Sequence, residues 1–243
     1  MPLLSFEQVS KRHIDLGVHE HIVLDDVSFD VEAGTSAGIW GPRRSGKSTL
    51  LRIAAGIELP DAGVVRFEGR DITKLSDRER ARLVRTKIGF APASWREARN
   101  LPVVEHVGLP LLSGGASMRE ASVKARAVLE RVGATSRADA AIFELSPGER
   151  TRVAIACALV RDPALLLVDE PALTPSPSER DELYALLRSL TGERGLTVVV
   201  ASEDLAAIRT ARQAMTISDG TLRSSHRAGR VVPFPEDRAK RGG

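Results

Sequence analysis

The sequence predicts an α/β fold: a parallel sheet built around a phosphate-binding loop, with an antiparallel β edge sheet and an inserted helical lobe. Three observations carry the prediction. The pattern GxxxxGK[ST] is met by Gly41-Pro42-Arg43-Arg44-Ser45-Gly46-Lys47-Ser48-Thr49, with a strand-like run, Thr35 to Trp40, before it and a helix-like run, Ser48 to Gly56, after it. Continuous apolar runs at Leu165 to Val168 and Thr197 to Val200 read as strands buried on both faces of a parallel sheet. From about Pro92 to Leu145 the texture changes to helix punctuated by Pro, Gly and Ala, which reads as an insertion.

The elements follow in order. Residues 3 to 9 and 22 to 32 read as strands of the edge sheet, the second alternating Val23, Asp25, Val27, Phe29 and Val31 before the Ala33-Gly34 turn. Lys11 to His21 reads as their linker, and the irregular spacing of His13, His19 and His21 does not make a metal set. After the loop come a strand, Val64 to Phe67, and a helix, Ser76 to Thr86, opened by the capping box Ser76-Asp77-Arg78-Glu79. Ile88 to Ala91 reads as a short core strand, and Met118 to Val132 as an amphipathic helix of the lobe. Helices at Ser178 to Leu190 and Leu205 to Thr210 alternate with the buried strands. Cys157 falls in an apolar helix, Val153 to Val160, where core packing is its role. The expected division is 1–92 with 151–223 as the core, 93–150 as the lobe, and 224–243 as a flexible basic tail.

Composition narrows the function. With 243 residues and 42% hydrophobic content the chain can bury a sizeable core. Its 35 basic and 32 acidic residues leave a net charge of only +3, which argues against a nucleic-acid partner. No run of 18 or more apolar residues occurs, and the start lacks the basic flank and apolar stretch of a signal peptide, so a cytoplasmic location is expected.

The loop residues are chosen by chemistry. Gly41 and Gly46 allow tight turning and close approach of backbone amides to phosphate oxygens, Lys47 brings an ammonium to the outer phosphates, and Ser48 offers a hydroxyl to Mg²⁺. Pro42, Ser45 and Thr49 complete the cradle. Arg43 and Arg44 either add charge near the phosphates or point into solvent. At the end of the Leu165 to Val168 strand, Asp169 would hold the metal shell and Glu170 would polarise the attacking water.

Between these two elements stands Leu145-Ser146-Pro147-Gly148-Glu149-Arg150, before a helix. Together the three segments resemble the ATP-binding subunits of ABC transporters, whose signature is LSGGQ, over about residues 3 to 222. The resemblance implies a RecA-like core, ATP and Mg²⁺ as cofactors, and a head-to-tail pair of ATP-binding subunits. Each nucleotide would lie between one phosphate loop and the other subunit's signature, where Ser146 and Gly148 can face the γ-phosphate. It also implies an integral-membrane permease as partner, with the chain peripheral on the inner face of the membrane. The segment Asn100 to Leu112 is similar to the lipoprotein-release and macrolide-export branch. His13 stands where the family stacks an aromatic ring on adenine; a stacking imidazole and a solvated loop histidine are both open readings. Trp95 stands near the permease-facing hinge, as interface anchor or as lobe packing.

Several positions depart from the family pattern. Ala93 replaces the glutamine that contacts Mg²⁺ and water, Ser176 replaces the aspartate six residues after the catalytic glutamate, and the signature carries Pro147 and Glu149. Glu203 replaces the switch histidine. A carboxylate about 4 Å from a phosphate charge is repelled by roughly 4 kcal/mol at an effective dielectric of 20, worth about three decades in rate if fully expressed. A protonated Glu203 could instead donate the bond histidine gives. The primary reading is a slow ATPase using Lys47, Ser48, Asp169 and Glu170. The alternatives are a nucleotide-binding regulatory or mechanotransmission subunit without useful hydrolysis, and a heterodimer with an intact ATPase.

Overall fold

The computed structural model describes residues 1–15, 19–94, 101–171, 176–191, 195–209 and 211–225. Strands β1 (Pro2–Asp15) and β2 (His19–Glu32) pair antiparallel, so the expected linker is strand up to Asp15 and again from His19. Each strand carries one residue in the left-handed region, Gln8 at φ 52 and Asp26 at φ 49. An inserted residue of this kind flips the pleat. The most deeply buried positions therefore run Leu4, Phe6, then Val9 on β1, with Leu3 and Ser5 also buried, and Leu24, then Val27, Phe29 and Val31 on β2. Leu24 rather than Val23 is buried, which corrects the regular alternation. The two bulge amides are satisfied across the pair: Gln8 N–H donates to Ser28 Oγ at 2.9 Å and Asp26 N–H to Ser10 Oγ at 3.1 Å.

The chain continues through β3 (Ser36–Trp40), α1 (Lys47–Ala54), β4 (Ala62–Phe67), β5 (Arg70–Asp71), α2 (Asp77–Thr86) and β6 (Ile88–Ala91). Next come α3 (Val103–Leu112), α4 (Met118–Arg131) and α5 (Pro147–Leu159), followed by β7 (Leu165–Asp169), α6 (Pro177–Leu190) and β8 (Thr197–Ser202). Helix α7 (Leu205–Ile208) and the hairpin β9 (Gln213–Ser218) and β10 (Thr221–Ser225) close the described chain. Thr210 and residues 226–243 lie outside the described residues, and Ser224 and Ser225 belong to β10 rather than to a tail. Helix α5 starts inside the signature, because Ser146 and Glu149 form a capping box and the fixed φ of Pro147 suits the first helical position. The 150/151 division consequently falls within one continuous helix.

Two sheets result. An antiparallel sheet runs β2-β1-β4-β5, and a six-stranded sheet runs β10-β9-β3-β8-β7-β6, parallel except for β10. Its central strands are buried on both faces, which explains their unbroken apolar runs. Leu165, Leu167, Val199 and Ala201 pack with α1 and the antiparallel sheet, while Leu166, Val168, Val198 and Val200 pack with α5, α6 and the α3–α4 helices. Cys157 packs half-buried against this second cluster. Among the described residues no helix is long and apolar enough to cross a membrane.

Candidate functional site

Because β3, β8 and β7 are adjacent and parallel, their last residues, Trp40, Ser202 and Asp169, share one sheet edge, where open α/β sheets bind ligands. The loop after β3 is tied there by Gly41 N–H donating to Ser202 O at 3.4 Å. Its glycines are steric requirements: a Cβ on Gly41 would lie 2.4 Å from Ile217 O, and one on Gly46 would lie 2.5 Å from Val23 O with φ at 101. No side chain caps α1 behind Gly46, so the first-turn amides point at the loop uncapped by any side chain. That is an anion site.

Lys47 is buried at its floor. Its ammonium donates to the Gly41 and Pro42 carbonyls, both at 2.7 Å, and pairs with Glu170 Oε1 at 3.1 Å, which uses its three protons. Glu170 follows β7 with φ at 45, and its carboxylate reaches the loop at Lys47. Its Oε2 accepts from Glu203 N–H at 3.0 Å and from Ser202 Oγ at 3.3 Å. Asp169 is buried beside it and takes a hydrogen bond from the Ser48 side chain. Burial raises its carboxyl above the usual range, against the lowering effect of Ser48 and Lys47, and the Glu170 charge raises it further. Asp169 Oδ1 and Ser45 Oγ are buried with no hydrogen-bond partner. Buried polar atoms are ordinarily partnered, so two orphans facing one loop mark a place for a bound group. A carboxylate and a hydroxyl are the hard oxygen donors that Mg²⁺ takes alongside phosphate oxygens. The residues present fit that ion.

The two arginines divide. Arg44 is exposed at φ 63; Arg43 is exposed as well, and its Nε donates to Glu203 Oε1 at 3.1 Å rather than turning onto the loop's anion site. Trp40 Nε1–H holds the Glu203 carbonyl at 2.9 Å. Glu203, which departs from the family pattern, thus has a loop arginine as its partner. Ala93 lies beside Asp169, Glu170 and Pro147 and brings no polar side-chain atom there.

The loop from Arg43 to Thr49, with Glu170 and Glu203, lines a cleft of about 810 Å³ whose far wall is His13, His21, Ile22 and Val23, with Asp219 and Gly220. His13 and His21 are directly paired across β1 and β2. His13 Nε2 meets Glu58 Oε1 at 2.7 Å, and Arg52 Nε holds Glu58 Oε2 at 3.0 Å. His13 is therefore not a freely solvated loop residue. Ser146 and Gly148 do not line this cleft; they open α5, where Ser146 Oγ donates to Glu179 at 2.7 Å. Trp95 lies outside the described residues. Sequence reading missed Glu58, Ser202 and Glu179; only Ser202, one residue before Glu203, sat where a local reading could have found it.

The ABC transporter family model matches residues 24–173. The lipoprotein-releasing system ATP-binding protein LolD 2 of Caulobacter vibrioides is 38% identical over 200 residues, covering 82% of this chain and 88% of that protein. Its counterpart LolD from Blochmanniella floridana is 34% identical over 224 residues, covering 92% and 95%. A dimeric post-hydrolysis structure of the ATP-binding cassette MJ0796 bound to ADP and Pi superposes with a TM-score of 0.84 at 30% identity, covering 91% of this chain and 97% of that one. With loop, acidic strand end and signature-bearing helix arranged on the fold those cassettes share, the chain belongs to the ABC transporter family as an ATP-binding cassette.

Proposed function

We propose that the chain binds Mg-ATP at Gly41 to Thr49, closes over it with a second ATP-binding subunit, and hydrolyses it to drive a membrane permease of the lipoprotein-release type, sitting at the inner face of the membrane through that partner. The observation that carries this is the conjunction of Lys47, Glu170 and the orphaned Asp169 Oδ1 at one loop. Lys47 moves from the Gly41 and Pro42 carbonyls onto phosphate oxygens, and the loop's N–H groups share the charge. Ser48 and Asp169 would hold Mg²⁺, which neutralises phosphate charge when bound. Glu170, fixed by the Glu203 amide and Ser202, accepts the proton of the attacking water. Steady-state hydrolysis by wild type and Glu170→Gln tests the reading: equal turnover refutes it.

Arg43 changes the expectation for Glu203. Its guanidinium sits on the carboxylate, so the pair presents little net charge to a phosphate and the repulsion computed for a lone carboxylate does not apply in full. The pair is largely exposed and adds at most about 1 kcal/mol to stability. Its effect belongs to the nucleotide step. Arg43→Ala should lower hydrolysis by about tenfold by unmasking Glu203, and adding Glu203→Gln should recover most of that loss. A double-mutant cycle of turnover rates checks this; strictly additive effects would separate the two residues.

The His13 wall is the proposed adenine contact. Glu58 orients the ring, and His13→Ala should weaken ATP binding by about three- to tenfold through lost stacking and contact area. Calorimetric titration measures it, and an unchanged dissociation constant removes His13 from the site.

A further inference from the structure

Glu179 lies in the first turn of α6, and its two carboxylate oxygens accept from hydroxyls that begin two different helices. Oε1 takes the proton of Ser146 Oγ at 2.7 Å, at the start of α5, and Oε2 that of Ser176 Oγ at 2.8 Å, at the start of α6 itself. The approach to α5 is close. A Cβ added at Gly148 would come within 3.0 Å of Glu179 Oε1 and 3.1 Å of its Cδ, so the missing side chain at 148 is what admits the carboxylate.

The N-terminus of α5, a 13-residue helix, carries partial positive charge and favours an anion. Two carboxylates meet it: Glu149 Oε2 accepts from Ser146 N–H at 2.8 Å, and Glu179 accepts from the Ser146 hydroxyl. Ser146 Oγ has one proton and gives it to Glu179, while its oxygen accepts from Glu149 N–H at 3.2 Å. Ser146 therefore has no donor left for a phosphate oxygen while Glu179 stays in place. Pro147, lacking an N–H, makes the hydroxyl matter more. The neighbouring charges are paired among themselves: Glu149 with Arg137 at 2.6 Å and Glu182 with Arg152 at 2.9 Å.

Resting on the reading of an ATP-closed pair, we propose that Glu179 is a positioning residue that occupies the anion site at the start of α5, and that the terminal phosphate held by a second copy of this chain reaches Ser146 only when Glu179 swings away. Hydrogen bonds from Ser146 and Ser176 hold the Glu179 carboxyl below the usual range, so it is charged at neutral pH and repels the incoming phosphate. Closure then requires the Ser146 hydroxyl to exchange one acceptor for another. The same carboxylate ties Ser176, at the start of α6, to Ser146 at the start of α5.

The test uses the full chain carrying Glu170→Gln, so that ATP is held rather than turned over, alone and with Glu179→Gln or Glu179→Ala. Sedimentation across protein concentration, with Mg-ATP and without nucleotide, gives the monomer–dimer dissociation constant. Glu179→Gln keeps the shape and removes the charge, and should tighten the ATP-bound dimer by about tenfold; Glu179→Ala should do so at least as much. ATP affinity of the dilute monomer should stay within about twofold. A residue that merely braces the two loops would give the opposite sign, so an unchanged or weaker dimer in both variants overturns the proposal. No ATP-dependent dimer in the parent or either variant would overturn the ATP-closed reading itself, and the proposal with it.

Discussion

Replacing Lys47 with alanine should lower Mg-ATP affinity by at least about a hundredfold. The ammonium is buried, makes two 2.7 Å bonds to loop carbonyls and pairs with Glu170, so its replacement by a triphosphate contact transfers charge-assisted bonds already formed in a desolvated place. Such bonds contribute about 1.5–3 kcal/mol each, and every 1.4 kcal/mol is tenfold in affinity. Two of them lost account for the hundredfold, and the unpaired Glu170 carboxylate left facing the phosphates adds repulsion. The variant also leaves two loop carbonyls without their donor, which costs stability, so thermal unfolding is followed beside calorimetry. A folded Lys47→Ala that binds ATP as wild type does would contradict the placement of the phosphates.

Glu170→Gln should reduce turnover by about 10²- to 10⁴-fold, the usual contribution of a general base, while ATP affinity holds or rises. The amide keeps the shape and can still accept from the Glu203 amide and Ser202, so the loop geometry survives the change. What is lost is the carboxylate's capacity to take a proton. One negative charge fewer beside Lys47 leaves that ammonium freer for phosphate, which is why binding does not fall. Single-turnover hydrolysis separates the two: an unchanged chemical step in Glu170→Gln would assign the proton to another group.

Much of the site could be read from the sequence because its chemistry is local. The loop's nine residues are consecutive, and Asp169 and Glu170 end one apolar run, so spacing alone placed donors, metal ligand and base on a strand–loop–helix unit. The fold was legible for the same reason in the central strands, whose alternate residues feed two cores. The bulges at Gln8 and Asp26 were not, because a left-handed residue inside a strand leaves no compositional mark when it is neither Gly nor Asn. The Arg43–Glu203 pair joins residues 160 positions apart, and a repulsion reckoned for Glu203 alone could not include a partner that only the adjacency of β3 and β8 supplies. The capping box at Ser146 and Glu149 has the same S-x-x-E spacing as the one read at Ser76 and Glu79. Those residues double as the signature by resemblance, and the structure makes them the start of α5. Glu179, reaching Ser146 from 33 residues away, had no sequence signal at all.

The most direct test is calorimetric titration of ATP into the full-length chain, once with excess Mg²⁺ and once with the metal chelated. A loop that grips phosphates through Lys47, with Ser48 and Asp169 holding the ion, predicts saturable heat in magnesium and affinity weaker by about tenfold or more without it. Folded protein that takes up no ATP in magnesium, or takes it up equally well without, would contradict the account.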